Sequence, residues 1–115
     1  MKKRKDGKKM QGDVIFRRGE GSLTAELVSE IDHHTVRRMR EKIDSELFLQ
    51  RPELLILDFS GVGFMDSSGL GLILGRCSVA EGIGASVRLT GLTPAVMRII
   101  RLGGLDKIRN LTLVK

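Results

Sequence analysis

Two adjacent hydroxyls follow a carboxylate in Phe64-Met65-Asp66-Ser67-Ser68-Gly69, just downstream of the apolar run Leu54-Leu55-Ile56-Leu57 and the loop Ser60-Gly61-Val62-Gly63. A serine in such a place can be a nucleophile, can help to cradle a phosphate, or can receive one. A serine hydrolase built on a strand-turn-helix needs G-x-S-x-G and an oriented histidine. Here Met65 stands two residues before Ser67, and neither His33 nor His34 has an identifiable partner to orient it. Dinucleotide binding fails on the third fingerprint glycine. Gly61 and Gly63 are in place, but Asp66 occupies the next position, where a carboxylate would repel a pyrophosphate. His33 and His34 are adjacent, so on a helix they diverge by about 100°, whereas helical metal ligands use the i, i+4 spacing. No metal and no other cofactor is expected.

Ser67 is then either a residue that merely starts a helix or a hydroxyl that accepts a phosphoryl group. Phosphorylation would add about −1.5 to −2 charges, and the free N–H groups of a helix N-terminus tolerate them. On that reading the domain stays folded, and any switch acts where a partner's surface meets the serine. Gly71, Gly75 and Ser78 form a small-residue stripe along the same helix. Each interior glycine costs about 1 kcal/mol relative to alanine, so the smooth surface has a use. Close packing against the domain's own sheet is the first reading, and docking of a partner the second.

The elements that must hold these residues follow from patterning. Leu54–Leu57, closing on Asp58-Phe59, is too short for a helix and reads as a strand buried on both faces. Asp66 is placed to cap the following helix by accepting from the N–H groups two and three residues on. Met65 and Leu70 are spaced as a hydrophobic staple, and Leu70, Ile73, Leu74 and Cys77 form the predicted apolar face. Upstream, Asp13–Arg18, starting near Met10, and Ser22–Val28 flank Gly19-Glu20-Gly21 as a hairpin. Asp32 is placed to cap a helix through Leu49 with Val36, Met39, Ile43 and Leu47 inward, and Pro52 ends it. Downstream come a strand at Ala85–Leu89, a helix opened by Thr93-Pro94 and stopped by Gly103-Gly104, and a last strand at Asn110–Val114. The order ββαβαβαβ predicts one α/β layered domain with right-handed crossovers. Binding sites in such sheets gather outside the carboxyl ends of the strands. If their strands run parallel, Asp32 and Asp66-Ser67 share one edge.

Charge is unevenly placed. The net +6 arises from Lys2, Lys3, Arg4, Lys5, Lys8 and Lys9 against Asp6, and the remaining residues carry fourteen basic against thirteen acidic groups. Residues 1–9 therefore read as a disordered, solvated basic tail and 10–115 as the folded domain. With no Trp and no Tyr, there is no stacking platform for single-stranded nucleic acid, which is not an expected partner. No apolar stretch is long enough to span a bilayer and none resembles a signal peptide. The single cysteine, Cys77, reads as a small buried residue, and a cytoplasmic setting is expected.

Phe64-Met65-Asp66-Ser67-Ser68-Gly69-Leu70-Gly71 running into Ile73-Leu74-Gly75-Arg76, preceded by Glu30-Ile31-Asp32-His33-His34-Thr35 and followed by Thr93-Pro94-Ala95-Val96 and Gly104-Leu105, resembles the bacterial anti-sigma factor antagonists. These are STAS-domain proteins, and the sporulation type acting on the anti-sigma F factor is the nearest in pattern. The resemblance covers roughly residues 10–115. It implies a STAS-like single layered α/β domain with a central mixed sheet of about five strands. It also implies a regulator without catalysis of its own. The unphosphorylated form binds an anti-sigma factor with serine kinase activity and so frees a sigma factor. That kinase modifies Ser67, and a PP2C-type serine phosphatase restores the hydroxyl. Asp66, Ser68, Gly69 and Leu70 then shape the presentation of Ser67, and Asp32, Gly71 and Gly75 belong with them to the partner-binding surface. ATP and magnesium would belong to the kinase. A STAS module of another pathway, a stress-signalling scaffold or a transporter-associated subunit, is the alternative. The chain departs from the family pattern at Ser29, where glycine is common, in its basic N-terminal segment, and in ending soon after its last strand.

Overall fold

The structure, a computed structural model, describes residues 12–114; the predicted basic tail at 1–9 and the predicted strand start near Met10 lie outside them. Two strands, β1 (Val14–Gly19) and β2 (Ser22–Leu27), form the expected hairpin. Gly21 turns it at a φ of +72°, a conformation that favours glycine. Three crossover units follow: α1 (Val36–Gln50) to β3 (Leu54–Asp58), α2 (Ser68–Gly82) to β4 (Ser86–Thr90), and α3 (Pro94–Leu102) to β5 (Leu111–Leu113). The sheet runs β1-β2-β3-β4-β5 in space, with β1 antiparallel to β2 and every later pair parallel. This is the layered α/β domain with a mixed five-stranded sheet that the sequence predicts.

A sheet that always steps in one direction, joined by right-handed crossovers, lays all its helices on one face. Burial agrees. Leu23, Ala25, Leu27, Leu55, Leu57, Val87, Leu89 and Leu111 point into the core with Met39, Ile43 and Leu47 of α1 and Val96 and Ile100 of α3. The opposite face carries Thr24, Glu26, Ile56, Arg88 and Thr112, none of them buried. This corrects the reading of Leu54–Leu57 as a strand buried on both faces. Leu55 and Leu57 are buried, while Leu54 and Ile56 are half-buried on the open side. An apolar run carries no period, so it could not reveal that one face lacks a helix.

The buried face of α2 also differs from the predicted one. Leu72, Ile73, Arg76, Cys77 and Ala80 face inward with Gly69, whereas Leu74 is 52 % exposed and Leu70 half-buried. The inward face includes Arg76, whose side chain is 5 % exposed and lies against Asp44 of α1, Nε to Oδ1 2.8 Å. The contact is close but poorly aligned, and neither atom makes a straight hydrogen bond. Burial pushes the Asp44 carboxyl up and the Arg76 guanidinium down, each opposed by attraction to the other. Desolvation of both groups offsets much of their attraction. Asp44→Ala should cost about 3 kcal/mol in urea unfolding, because it strands the arginine. The double variant Asp44→Leu/Arg76→Met should unfold within about 1 kcal/mol of the wild type.

A second charged tie joins the start of β1 to α1. Asp13 accepts from Lys42 Nζ at 2.8 Å and from the Val14 N–H at 3.1 Å, with Arg38 Nη2 at 3.7 Å. Burial alone would raise this carboxyl, but Lys42, the Val14 N–H and Arg38 together hold it below its ordinary value. A depressed carboxyl pKa contributes stability above the unfolded value and loses it as pH falls through the folded one. Asp13→Asn should therefore lower stability by about 1 kcal/mol at neutral pH. The deficit should begin to shrink as pH falls through the ordinary carboxylate value of about 4 and vanish only below the depressed folded value.

Candidate functional site

The site is built on two loops that leave the carboxyl edge of the sheet. After β2 the chain reaches Ile31, and after β3 it reaches Met65, and these two residues pair as an isolated parallel bridge. The Ile31 N–H donates to the Phe64 carbonyl at 2.9 Å, and the Asp66 N–H donates to the Ile31 carbonyl at 3.0 Å. The segments carrying Asp32 and Asp66-Ser67 are thereby side by side on one rim, as the parallel reading requires.

Asp66 opens α2. Its Oδ1 accepts the Ser68 N–H at 2.7 Å and its carbonyl accepts the Gly69 N–H at 3.0 Å. The side chain thus takes the donor two residues on, and the backbone takes the next. Ser67 already has helical dihedrals, φ −64° and ψ −17°, and its side chain makes no capping bond. Asp66 therefore does the capping, and the Ser67 residue is exposed. Ser68 is half-buried and Gly69 buried. A Cβ on Gly69 would run into Met65, whose Cγ and Sδ lie against that position and whose Cε is 3.1 Å from it. Met65 therefore packs beneath the first turn of α2, with 2 % exposure. Leu70 reaches the other way, its Cδ1 2.8 Å from where a Cβ on Gly103 would sit at the end of α3.

Asp32 is committed to its own turn. Its Oδ1 accepts from the N–H groups of His34 at 2.8 Å and Thr35 at 3.0 Å, and its own N–H donates to Thr35 Oγ1 at 3.0 Å. The reciprocal pair resembles a capping box. The spacing Asp32-x-x-Thr35 was the available signal for it. The helix itself starts only at Val36, later than predicted, because residues 32–35 are used by this turn. Burial would raise the Asp32 carboxyl, but the two backbone donors, with smaller effects of His34 and His33, hold it below its ordinary value. The histidines do not diverge as they would on a helix: their rings lie 3.9 Å apart, tilted by 39°, because the turn precedes the helix. Among the described residues no three His, Cys, Asp or Glu side chains gather as metal ligands. Cys77 is buried, and burial pushes its thiol up to about 11, so it is not a reactive thiolate.

The small-residue stripe faces outward. A Cβ at Gly71 or Gly75 would meet nothing within 4 Å; Gly71 and Ser78 are exposed and Gly75 half-buried. The expected close packing against the sheet is therefore corrected. The face that packs is the one led by Ile73, Arg76 and Cys77, which turns the glycines away. Two apolar side chains that patterning sent to the core or overlooked flank the serine end of this face, Phe64 at 57 % and Leu74 at 52 % exposure.

Residues 13–113 match the STAS domain. The chain belongs to the STAS family. Within it, the chain is 36 % identical over 88 residues to the anti-sigma F factor antagonist of Paenibacillus polymyxa, covering 76 % of this chain and 75 % of that protein. Among solved STAS structures, the anti-sigma factor antagonist SpoIIAA in its unphosphorylated form superposes with a TM-score of 0.68 at 26 % identity, covering 90 % of this chain and 88 % of that one. The phosphorylated form of the Bacillus cell fate determinant SpoIIAA superposes with a TM-score of 0.67 at 27 % identity, over 90 % and 92 % of the two chains.

The glycines of this STAS site should separate by substitution. Gly69→Ala must displace the buried Met65 and should cost about 1–3 kcal/mol. Gly71→Ala meets open space on a helix and should stabilise by about 0.5–1 kcal/mol. Thermal unfolding of the two variants measures both signs.

Proposed function

We propose that this protein is a phosphorylation-switched anti-sigma factor antagonist with Ser67 as its phosphoacceptor. The observation that carries the reading is the division of roles at the start of α2, where Asp66 caps the helix and leaves the Ser67 side chain without a capping bond on an exposed residue. The names of its relatives support the function, and SpoIIAA, of the same fold, is known in a phosphorylated form. The partner is an anti-sigma factor that is also a serine kinase. It docks on the rim formed by Asp32, Asp66 and Ser68 and along the outward stripe of Gly71 and Gly75, with Phe64, Leu70 and Leu74 as apolar contacts. Bound there, it blocks its own grip on a sigma factor.

The transfer itself uses the kinase's ATP. The Ser67 Oγ attacks the γ-phosphorus, the bond from that phosphorus to the β,γ-bridging oxygen breaks, ADP leaves, and the hydroxyl proton passes to a base on the kinase. No bond of the domain is lost, since Ser67 Oγ caps nothing. The new dianion lies on a surface that the partner had desolvated, and an unpaired charge there is costly. Release follows. A PP2C-type phosphatase hydrolyses the ester and returns the hydroxyl. We place this cycle in the cytoplasm; among the described residues no helix is long and apolar enough to cross a membrane.

Incubation with a cognate anti-sigma kinase and ATP should add one phosphate by intact mass, mapped to Ser67 and absent in Ser67→Ala. Ser67→Asp should melt within a few degrees of the wild type, yet bind the kinase at least about tenfold more weakly, a difference of about 1.4 kcal/mol. A lowered melting temperature with unchanged affinity would contradict the surface switch.

A further inference from the structure

Both ends of α3 are held against the segment that carries Ser67. At its start, a Cβ on Gly91 would lie 2.7 Å from the Ser60 N and 2.9 Å from Asp58 Oδ1, and the Phe59 N–H donates to the Thr90 carbonyl at 2.8 Å. A φ of +69° at Gly91 lets the β4–α3 loop pass this close to the loop that leads from β3 to Ser67. At its end, Gly103 packs against Leu70, with 3.2 Å between the Leu70 Cδ2 and a Cβ built there. Leu70 belongs to the first turn of α2, which Ser67 opens. The outer face of α3 therefore adjoins the rim of Ser67.

That face is made of groups without partners. Val96 and Ile100 turn inward, which leaves Pro94, Met97, Arg98, Arg101 and Leu102 around a shallow depression of about 450 Å³. Leu102 is 81 % exposed, more than any other large apolar side chain among the described residues. Arg98 and Arg101 are exposed, and among the described residues neither enters an ion pair. The helix holds no carboxylate, and Asp106 beyond it is followed by Lys107. A cation in the last turn, as at Arg101, is favourable in its own right, but nothing in the domain accounts for the exposure of Leu102.

The size of a protein interface says what covers this face. A stable one takes about 800 Å² and 20–30 residues from each side. The rim around Ser67, with its glycines and serines, falls well short of that, so a partner seated there must spread further. Toward α1 the exposed positions are polar, His33, His34, Arg37 and Arg40, and Arg37 is already paired with Glu41. Toward α3 the partner meets Leu70, Leu102 and Met97 flanked by two free guanidinium groups. Apolar side chains, Met and Arg are what interface cores favour.

We propose that the protein docking over Ser67 extends across Leu70 onto α3, placing an apolar side chain against Met97 and Leu102 and carboxylates against Arg98 and Arg101. The inference rests on the docking role proposed for Ser67. It assigns to α3 a share of the affinity, separate from the serine that switches it.

The test measures the affinity of the full chain for a cognate anti-sigma kinase by calorimetry. Arg98→Glu/Arg101→Glu should weaken binding at least about tenfold, since it sets like charges face to face, and Leu102→Ser about fivefold. Arg98→Lys/Arg101→Lys should stay within about threefold of the wild type, because it keeps both charges. All these positions are exposed, so melting temperatures should hold within a few degrees. Arg109→Glu, a reversal on the exposed ion pair with Glu81, should leave affinity unchanged. Wild-type binding that Ser67→Asp weakens and the α3 reversal does not would overturn the extension alone. An equal loss in Arg109→Glu would also overturn it, because the effect would then be one of net charge. So would self-association of the wild type that Leu102→Ser abolishes while kinase affinity is unchanged, since the face then serves a second copy. Failure of the wild type to bind the kinase at all would instead sink the docking role of Ser67, and the extension with it.

Discussion

Two backbone hydrogen bonds join loops that the chain separates by more than thirty residues. Ile31 donates to Phe64 and accepts from Asp66, extending the β2–β3 pairing past the end of both strands. Buried backbone groups left unpaired cost about 1–3 kcal/mol each, so the two loops are held in one register. The register decides everything at the rim. It turns Met65 into the core, puts Asp66 where its carboxylate meets the Ser68 N–H, and leaves Ser67 outside. A slip of one residue would exchange the inward and outward side chains, burying a carboxylate and exposing a methionine. Gly69 follows from the same constraint, because Met65 occupies the space its side chain would need.

The helix that begins there is patterned against ordinary expectation. Its outward face carries two glycines and a leucine, and its inward face carries an arginine. A glycine pair in open space weakens the helix by about 1 kcal/mol each, and a buried arginine needs a counter-charge, so neither choice is made for stability. The core can absorb both. Leu23, Leu27, Leu55, Leu57, Ile43 and Leu47 are fully buried around the sheet and α1, at about 1.5–3 kcal/mol per large apolar side chain. The flat outer stripe is consistent with a surface shaped for close approach by another backbone.

How far the sequence reveals this can be argued residue by residue. Strand and helix succession was legible because Gly21, Pro52, Thr93-Pro94 and Gly103-Gly104 interrupt clean periodicities. The shared rim of Asp32 and Ser67 was legible because βαβ order implies parallel strands. Asp66 as the cap was legible from its type and place. The unreadable parts depend on tertiary partners. Leu54 and Ile56 look like core because nothing in the sequence tells that every crossover winds to the same side. Arg76 looks like surface because its partner, Asp44, is thirty-two positions away. Gly71 and Gly75 were read as packed because the helix face that packs was assigned to the wrong leucines. His33 and His34 were assigned helical geometry that the Asp32 turn withholds from them.

A surface hydroxyl outside the bonding network has a thermodynamic consequence for any switch built on it. Because Ser67 caps no helix and supports no neighbour, a group added there changes the free domain little. The two forms then share one fold, and a partner can distinguish them only through its own contacts, so the ratio of affinities equals the difference in interfacial free energy alone. A hundredfold preference for the unmodified form needs about 2.7 kcal/mol. Desolvating a dianion beside Asp66 without a cation to meet it readily exceeds that. In such a switch the discrimination would be set by what the partner places over α2's first turn, and a partner offering a cation there would lose it.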